Sequence, residues 1–514
     1  MILEAEDRVR LNSELVSKTT FMYISILGSA ILGAVSIFLA TRFIGQSEYG
    51  IVGFALSFAG LFLFITDLGF TRAHTKKVSE GADLRSCLTL YLLVRVALTG
   101  VYVFAVFVSI YIWESVLGRG YEYPETHEVI LVILAYYVPI SISAVFASTF
   151  QALRDVIRAQ VVMLAEIMSR VIAIMFVVYF KMGTVELAIT FAVSGAASLI
   201  VTLLISRDLL SKISWKLLDR NLLSEYAAFA KPLAIATILT TVAMYFDKVI
   251  IQFAFSAAET GTYFAAQRYL RFYGFLSTAI ISLLFPTFSS LNSKAAGKDT
   301  IAIMMRAILR YLFIIVVPLT IFLVVFAEPI LTTLTSSAFA PGATAFAILS
   351  ITYSISILTG PSSSQTLGMG FVTSFARYIL LYCIIVIFLD IVLIPNEIFS
   401  VQLLGWGING AALAIFFGQV VMTVLFYLNT ARVLKIKTPE HLFRIIVSSV
   451  FAILVTYIIS MTFNIARFYD LIALLSLFFG IYASLILVTK VMNFSEILRL
   501  LKMLSLKSLQ MKPE

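Results

Sequence analysis

LAIATILTTVAMYFDKVIIQFAF, residues 233–255, holds twenty-one uncharged, mostly apolar positions and, near its outer third, an adjacent Asp247 and Lys248. A run of this length is enough to cross about 30 Å of hydrocarbon as a helix. Two ionised groups in such a place each cost about 2.5–3.5 kcal/mol on insertion scales, so each needs a partner, a watery cavity or a route to the headgroups. The stretch reads as a membrane span that retains charge.

The rest of the chain agrees. Of its 514 residues 61% are hydrophobic and 13% charged, with a mean hydropathy of +1.02. A soluble domain has roughly 25% charged residues. Apolar runs recur from Thr19 almost to the end, beginning near Thr19, Gly50, Ser86, Glu128, Val161, Glu186, Leu233, Tyr263, Tyr311, Ala343, Tyr378, Ile408, Ile445 and Leu471. The expected fold is therefore an all-α integral membrane protein of about 14 transmembrane helices. MILEAEDRVRLNSELVSK, residues 1–18, mixes acids and bases and leads into an apolar stretch too long for a signal-peptide core.

Lys and Arg set the orientation, because they crowd the cytoplasmic connections. With the N-terminus inside, about 28 basic residues fall on cytoplasmic segments, against Arg119, Lys181 and Arg467 on outer ones. Both termini are expected in the cytoplasm, and the net charge of +9 follows from this bias rather than from nucleic-acid binding. Only Cys87 and Cys383 are present, and His74, His127 and His441 lie far apart, so no clustered metal site is expected. No GxxxxGK[ST] phosphate loop occurs, which removes an ATP-driven pump of that type. No cofactor is expected.

The expected organisation is a cytoplasmic segment at 1–18, a six-helix lobe at 19–206, a connector at 207–232, a second six-helix lobe at 233–428, a cytoplasmic loop at 429–444, a helix pair at 445–488 and a cytoplasmic tail at 489–514. A pattern recurs across the connector: RFIGQSEYGIVGFALSF from Arg42 and QFAFSAAETGTYFAAQRY from Gln252 each carry Glu and Gly two apart, before an aromatic-rich span. Internal repeats of this kind are common in transporters.

FIGQSEYGIVGFALSFAGLFLFITDLGFTRAHTKKVSEG, residues 43–81, resembles the first hairpin of the prokaryotic polysaccharide flippases of the multidrug/oligosaccharidyl-lipid/polysaccharide exporter superfamily. FDKVIIQFAFSAAETGTYFAAQRYL, residues 246–270, resembles the start of the second lobe in that family, including its Asp-Lys pair. The resemblance implies a flippase that moves a polyprenyl-phosphate- or pyrophosphate-linked oligosaccharide across the cell membrane by alternating access, with a groove of the last two helices guiding the tail. It also implies lipid and lipid-linked glycan as ligands, and a polysaccharide polymerase, ligase or glycosyltransferase as partners.

Six basic residues fall within spans, Arg42, Arg95, Arg170, Lys248, Arg268 and Arg271, against four acids, Asp67, Glu166, Asp247 and Asp390. The basic excess favours an anionic headgroup in a cationic cavity, for which Arg95, Lys248, Arg268, Arg271 and Arg42 are the candidates. Lys248 and Arg268 have an alternative, snorkelling to headgroups. Counting back from Phe255 and forward from Tyr263 puts Asp247 and Arg271 at one depth, so they are expected to pair. Glu166 and Arg170 stand i, i+4 in the favourable order and read as a local pair near the cytoplasmic end of their span. Asp67, Asp247, Glu166, Arg170 and Asp390 are the candidates for charge pairing or coupling, and the role of Asp67 and Arg42 follows from the resemblance. Asp390 has no partner that the sequence identifies. A multidrug or small-cation antiporter would want excess acid in the cavity, and a polyprenyl-dependent glycosyltransferase would want paired carboxylates on a large outer loop. Glu114, Glu122 and Glu125 are the acids nearest to that second requirement. GPSSSQTLG, residues 360–368, is expected to face protein or cavity.

Overall fold

The computed structural model of the chain describes residues 2–118, 120–214, 219–292, 297–398, 400–435, 441–462, 467–493 and 496, excepting the side chains of 2–20, 23, 272, 274–280, 282 and 283. Several basic residues used for the orientation (Arg119, Lys216, Lys294, Lys437, Arg499, Lys502, Lys507 and Lys512) lie outside the described residues, as does most of the tail.

The architecture is helical almost throughout. In order the helices are α1 (Ile2–Phe43), α2 (Gln46–Gly60), α3 (Phe64–Asp67), α4 (Phe70–Ser79), α5 (Leu84–Tyr111), α6 (Thr126–Ala152), α7 (Val156–Tyr179), α8 (Thr184–Ile205), α9 (Arg207–Leu210), α10 (Arg220–Ala254), α11 (Ala257–Asn292), α12 (Gly297–Val325), α13 (Ala327–Leu334), α14 (Ala343–Gly368), α15 (Val372–Leu393), α16 (Gly407–Leu434), α17 (Leu442–Ser460) and α18 (Phe468–Val488). A two-stranded hairpin, Glu397–Ile398 with Val401–Gln402, joins α15 to α16. Thirteen helices among the described residues are long and apolar enough to cross a membrane. The span expected from Tyr263 falls on α11, a helix of 36 residues.

Two boundaries differ from the sequence reading. The second half of the 207–232 connector is helix: α10 starts at Arg220, capped by the Asp219 carboxylate, which accepts the Asn221 N–H at 2.8 Å. ALA-rich SEYAAFAKP lacks any strong breaker before Pro232, and that proline is carried inside the helix. Likewise α11 begins at Ala257, six residues before Tyr263. That places everything on it about 9 Å deeper than expected.

By packing, the described chain divides into a first unit, residues 1–272 with 379–414, and a second, 273–378 with 415–514. In the first, α6 packs on α2, α5 and α8, and α7 packs on α1 and α8. Below α4 a core of Tyr91, Phe146, Phe150 and Tyr226 is closed to solvent. In the second, α12 packs on α14 and α17. The polar run expected to face protein does so: Ser362 to Thr366 are buried on α14, where Gln365 accepts from Thr430 at 2.8 Å and Thr366 from Asn429 at 3.0 Å. Neutral side chains that satisfy one another are the inexpensive way to bury polarity in a helix bundle.

The two repeated hairpins meet in the first unit. A Cβ on Gly50 would fall on the Ala257 carbonyl, and one on Gly261 would fall on the Gln46 carbonyl. The matching glycines of the repeats therefore let the N-termini of α2 and α11 touch backbone to backbone. Gln46 and Thr262 share a side-chain hydrogen bond across the same contact. Because the obstacle is main chain, Gly50→Val and Gly261→Val are each expected to destabilise the protein by about 3 kcal/mol, the upper part of the usual overpacking range. The loss is measurable as a lowered thermal transition in detergent, whereas Gly100→Val, which meets nothing, leaves it unchanged.

Candidate functional site

The Asp247 and Lys248 pair sits where α10 faces α11. Lys248 Nζ donates to Asp247 Oδ1 at 2.6 Å, to the Met244 carbonyl at 2.9 Å and to Gln267 Oε1 at 3.0 Å. Asp247 Oδ2 accepts from Tyr263 Oη at 2.9 Å and Gln267 Nε2 at 3.2 Å. Both charged side chains are 1% exposed. An ammonium has three donors, and all three are used here. Lys248 therefore neither snorkels nor presents a free charge to a ligand.

Asp247 does not pair with Arg271. It meets Tyr263 and Gln267, one turn apart on α11, and Arg271 lies a further turn along. The expectation failed because α11 starts at Ala257 rather than Tyr263. Among the described residues neither Arg268 nor Arg271 lies within ion-pair distance of a carboxylate.

Arg95 also has fixed partners. Its Nε donates to the Ser141 carbonyl and Oγ, both at 3.0 Å, and a terminal nitrogen reaches Asp67 at 3.2 Å. Asp67 is the last residue of α3. Its carboxylate accepts the backbone N–H of Gly69 at 3.3 Å and of Thr71 at 2.9 Å, and the Thr71 hydroxyl. It thus satisfies donors at the start of α4 that no helical carbonyl can reach. Leu68 and Gly69 between them have φ of 45° and 89°, so the DLG motif is a helix break in the left-handed region, where glycine is at ease. The Arg95–Asp67 pair braces that break.

The brace continues into α4. The Thr71 and Tyr91 hydroxyls lie 2.7 Å apart, Tyr91 stacks on His74 at 4.4 Å between centroids, and His74 bonds Tyr226 at 3.2 Å and Thr149 at 2.9 Å. Burial lowers the His74 imidazole from its ordinary 6.5 to about 3. It is therefore neutral through the physiological range.

A small cavity of about 100 Å³ lies among α1, α2, α7, α8 and α11, with Ser36, Tyr49, Arg170, Phe191 and Arg268 on its walls. Arg170 pairs with Glu166, donates to Tyr136 Oη at 3.2 Å and lies over the Phe191 ring at 4.6 Å. The Glu166–Arg170 pair is local, as expected. It sits at mid-helix rather than near an end, because α7 begins at Val156. Arg268 lies over the Phe264 ring at 4.7 Å. Among the described residues its buried Nε has no hydrogen-bond partner, and neither has the Ser36 hydroxyl. Among the described residues the cavity thus carries two guanidinium groups, no carboxylate on its lining, and one balancing acid, Glu166, behind Arg170. Arg42 is exposed in the last turn of α1, off this lining. Asp390, on α15, is fully buried.

The contributions of Ser36, Tyr49, Tyr136 and Gln267 were not readable in the sequence. Each is an ordinary residue of an apolar helix until tertiary packing aims it. The acids between α5 and α6 are all employed structurally: Glu122 accepts the Ala257 N–H at 2.7 Å, Glu125 accepts from Thr184 at 2.6 Å, and Glu114 meets His127 at 2.6 Å. They do not form a carboxylate pair suited to glycosyl transfer.

A bundle of membrane-spanning helices with broken segments and paired internal charges is the build of a membrane transporter. The sequence profile of the family described as "Polysaccharide biosynthesis protein" matches residues 15–292, and the chain belongs to that family. Among solved structures it is similar to "Lipid II flippase MurJ, inward closed conformation", with a TM-score of 0.73 at 15% identity over 91% of this chain and 98% of that one. It is also similar to an inward-facing multidrug resistance MATE family transporter of the MOP superfamily, with a TM-score of 0.58 at 15% identity over 80% of this chain and 96% of the other. No curated protein matches it by sequence. The fold is that of the MOP-superfamily transporters, in a multi-pass membrane protein.

Arg95→Ala takes the guanidinium away from Asp67, which keeps its Gly69 and Thr71 donors, and is expected to cost about 3 kcal/mol of stability, the lower end for breaking a buried pair. Arg95→Ala with Asp67→Asn costs less than the two single changes summed, which a double-mutant cycle of thermal transitions reads. His74 binds no proton in the folded protein until about pH 3, whereas the unfolded chain binds one near 6.5, so stability is full above 6.5 and falls as pH drops from there toward 3. His74→Gln is expected to flatten that part of the pH–stability curve.

Proposed function

We propose that the chain is a flippase that moves a polyprenyl-phosphate- or pyrophosphate-linked oligosaccharide across the cell membrane. The observation that supports this best is the cavity flanked by Arg170 and Arg268, with Arg268 lacking a carboxylate partner among the described residues. A guanidinium fork is matched to phosphate oxygens, and it is less strongly hydrated than an ammonium. In a low-dielectric wall an excess guanidinium is costly until an anion arrives.

The size of the cavity is also informative. About 100 Å³ is the volume of roughly three liquid waters, suited to a phosphate and far too small for an oligosaccharide. The reading is that these arginines grip the phosphate linkage, while alternating access opens a wider path for the sugar and the polyprenyl tail stays in lipid. An inward-negative potential assists outward movement of the anion by about 2.3 kcal/mol per charge per 100 mV. A multidrug or small-cation antiporter is the competing reading within the same fold. It would be served by an acid-lined cavity, and this lining has none.

The test is leaflet assignment of lipid-linked oligosaccharide in cells lacking the protein, using a sugar-cleaving enzyme that cannot cross the membrane. Wild-type re-expression is expected to expose precursor that is otherwise protected. Arg268→Gln is expected to reduce that exposure by about ten- to a hundredfold at unchanged membrane insertion, the worth of one charged hydrogen bond of 1.5–3 kcal/mol. Arg170→Gln, which also strands Glu166, is expected to reduce it at least as much. Exposure that does not depend on the protein would sink the lipid-linked substrate, and normal exposure by both variants would sink the cationic cavity.

A further inference from the structure

Asp390 is the one acid within the spans that no described group accounts for. It is 0% exposed on α15, and neither carboxyl oxygen has a hydrogen-bond partner among the described residues. The charged groups whose fields reach it are Asp247 and Lys248 on α10. Arg271 on α11 acts on Lys248 in turn, and the remaining polar groups that α11 brings to this cluster are Tyr263 and Gln267.

None of these serves Asp390 in the arrangement described. Lys248 has spent its three donors on Asp247, Met244 and Gln267. Tyr263 Oη and Gln267 Nε2 donate to Asp247. Lys248 is held by Asp247, and Arg271 is within ion-pair distance of neither carboxylate among the described residues, so Asp390 is left in an apolar bundle with no donor. An ionised carboxylate in that position is not sustainable, and such a group neutralises instead. A metal cation is a poor fit, since hard cations take six or more oxygen ligands and both Asp247 oxygens are already occupied, one of them by a tethered ammonium.

We propose that Asp390 is a proton-binding site and that its proton decides the partner of Lys248. With the proton on, Asp390 is neutral and Lys248 stays with Asp247. When the O–H bond breaks, its electron pair remains on Asp390 and the proton leaves to water. The new anion then draws Lys248 away, and Asp247 keeps Tyr263, Gln267 and the Lys248 backbone N–H, which lies 2.9 Å from Oδ1. Moving Lys248 shifts hydrogen bonds between α10 and α11, next to the backbone contact of Gly50 with Gly261. Proton binding is in this way coupled to the packing of the hairpin that carries Arg268.

The experiment is infrared spectroscopy of the purified full-length protein in lipid nanodiscs, with no glycolipid added, across a pH series. Wild type is expected to show a protonated carboxylic-acid carbonyl band that Asp390→Asn lacks and Asp67→Asn retains. An identical band in wild type and Asp390→Asn would overturn the proposal. Should Asp390→Asn fail to fold, wild type alone answers the question. A hydrophobic carbodiimide, which reacts with protonated buried carboxyls, is expected to label Asp390 and spare Asp247, as read by peptide mass spectrometry. Absence of label on Asp390, or its suppression by sodium chloride but not by choline chloride, would overturn the proposal, the second outcome in favour of a metal cation. Neither readout uses the lipid-linked substrate, so the result stands or falls separately from the flippase reading.

Discussion

An ionised side chain in hydrocarbon must be met by an opposite charge, by donors or by a ligand, and the first unit of this protein is organised around that requirement. Among the described residues three ion pairs lie within its membrane-spanning segments: Asp247 with Lys248, Asp67 with Arg95, and Glu166 with Arg170. Each ties together elements that are distant in the chain or differently directed. Lys248 and Asp247 bind α10 to α11 through Gln267 and Tyr263. Arg95 binds α5 to α6 through Ser141 and to the α3–α4 break through Asp67. Arg170 binds α7 to α6 and α8 through Tyr136 and Ser194.

Pairing has different consequences at the three places. At Asp247 and Lys248 every donor and acceptor is used, so the pair is a fastening between helices. At Asp67 the carboxylate serves backbone N–H groups as well as Arg95, so the ion pair is inseparable from the helix break, and a break held by side chains is a natural place for a helix to bend. At Arg170 the pair is incomplete as a charge balance, because Arg268 shares the same cavity without an acid of its own among the described residues. The excess that remains there is what an anionic ligand would neutralise. Removing one partner from any buried pair is expensive, so these residues hold the fold together.

The close approach of Gly50 and Gly261 belongs to the same economy of space. Helices that touch at glycine leave little room for water or lipid between them, which keeps the neighbouring pairs dry and their interactions strong. The repeated Glu-x-Gly pattern was visible in the chain, but its meaning was not. It marks the two places where one repeat is pressed onto the other.

Hydropathy, span length and the distribution of Lys and Arg are local properties of a chain that must cross a membrane. The all-helical membrane fold, the approximate number of spans, the inventory of internal charges and the family resemblance were therefore legible in residues 1–514 alone. The partners of those charges were not. A helical register error of six residues at Ala257 was enough to pair Asp247 with the wrong basic residue, since a turn of helix is about 5 Å and an ion pair tolerates less than that. Arg95 read as a cavity residue because Ser141 and Asp67 are far away in sequence, while Arg170 read as locally satisfied because Glu166 is near. Only the tertiary structure showed Arg95 spent on Asp67 and Ser141, and Arg170, paired as expected, also on a cavity wall beside Arg268, because such placements depend on distances between helices that no single helix encodes.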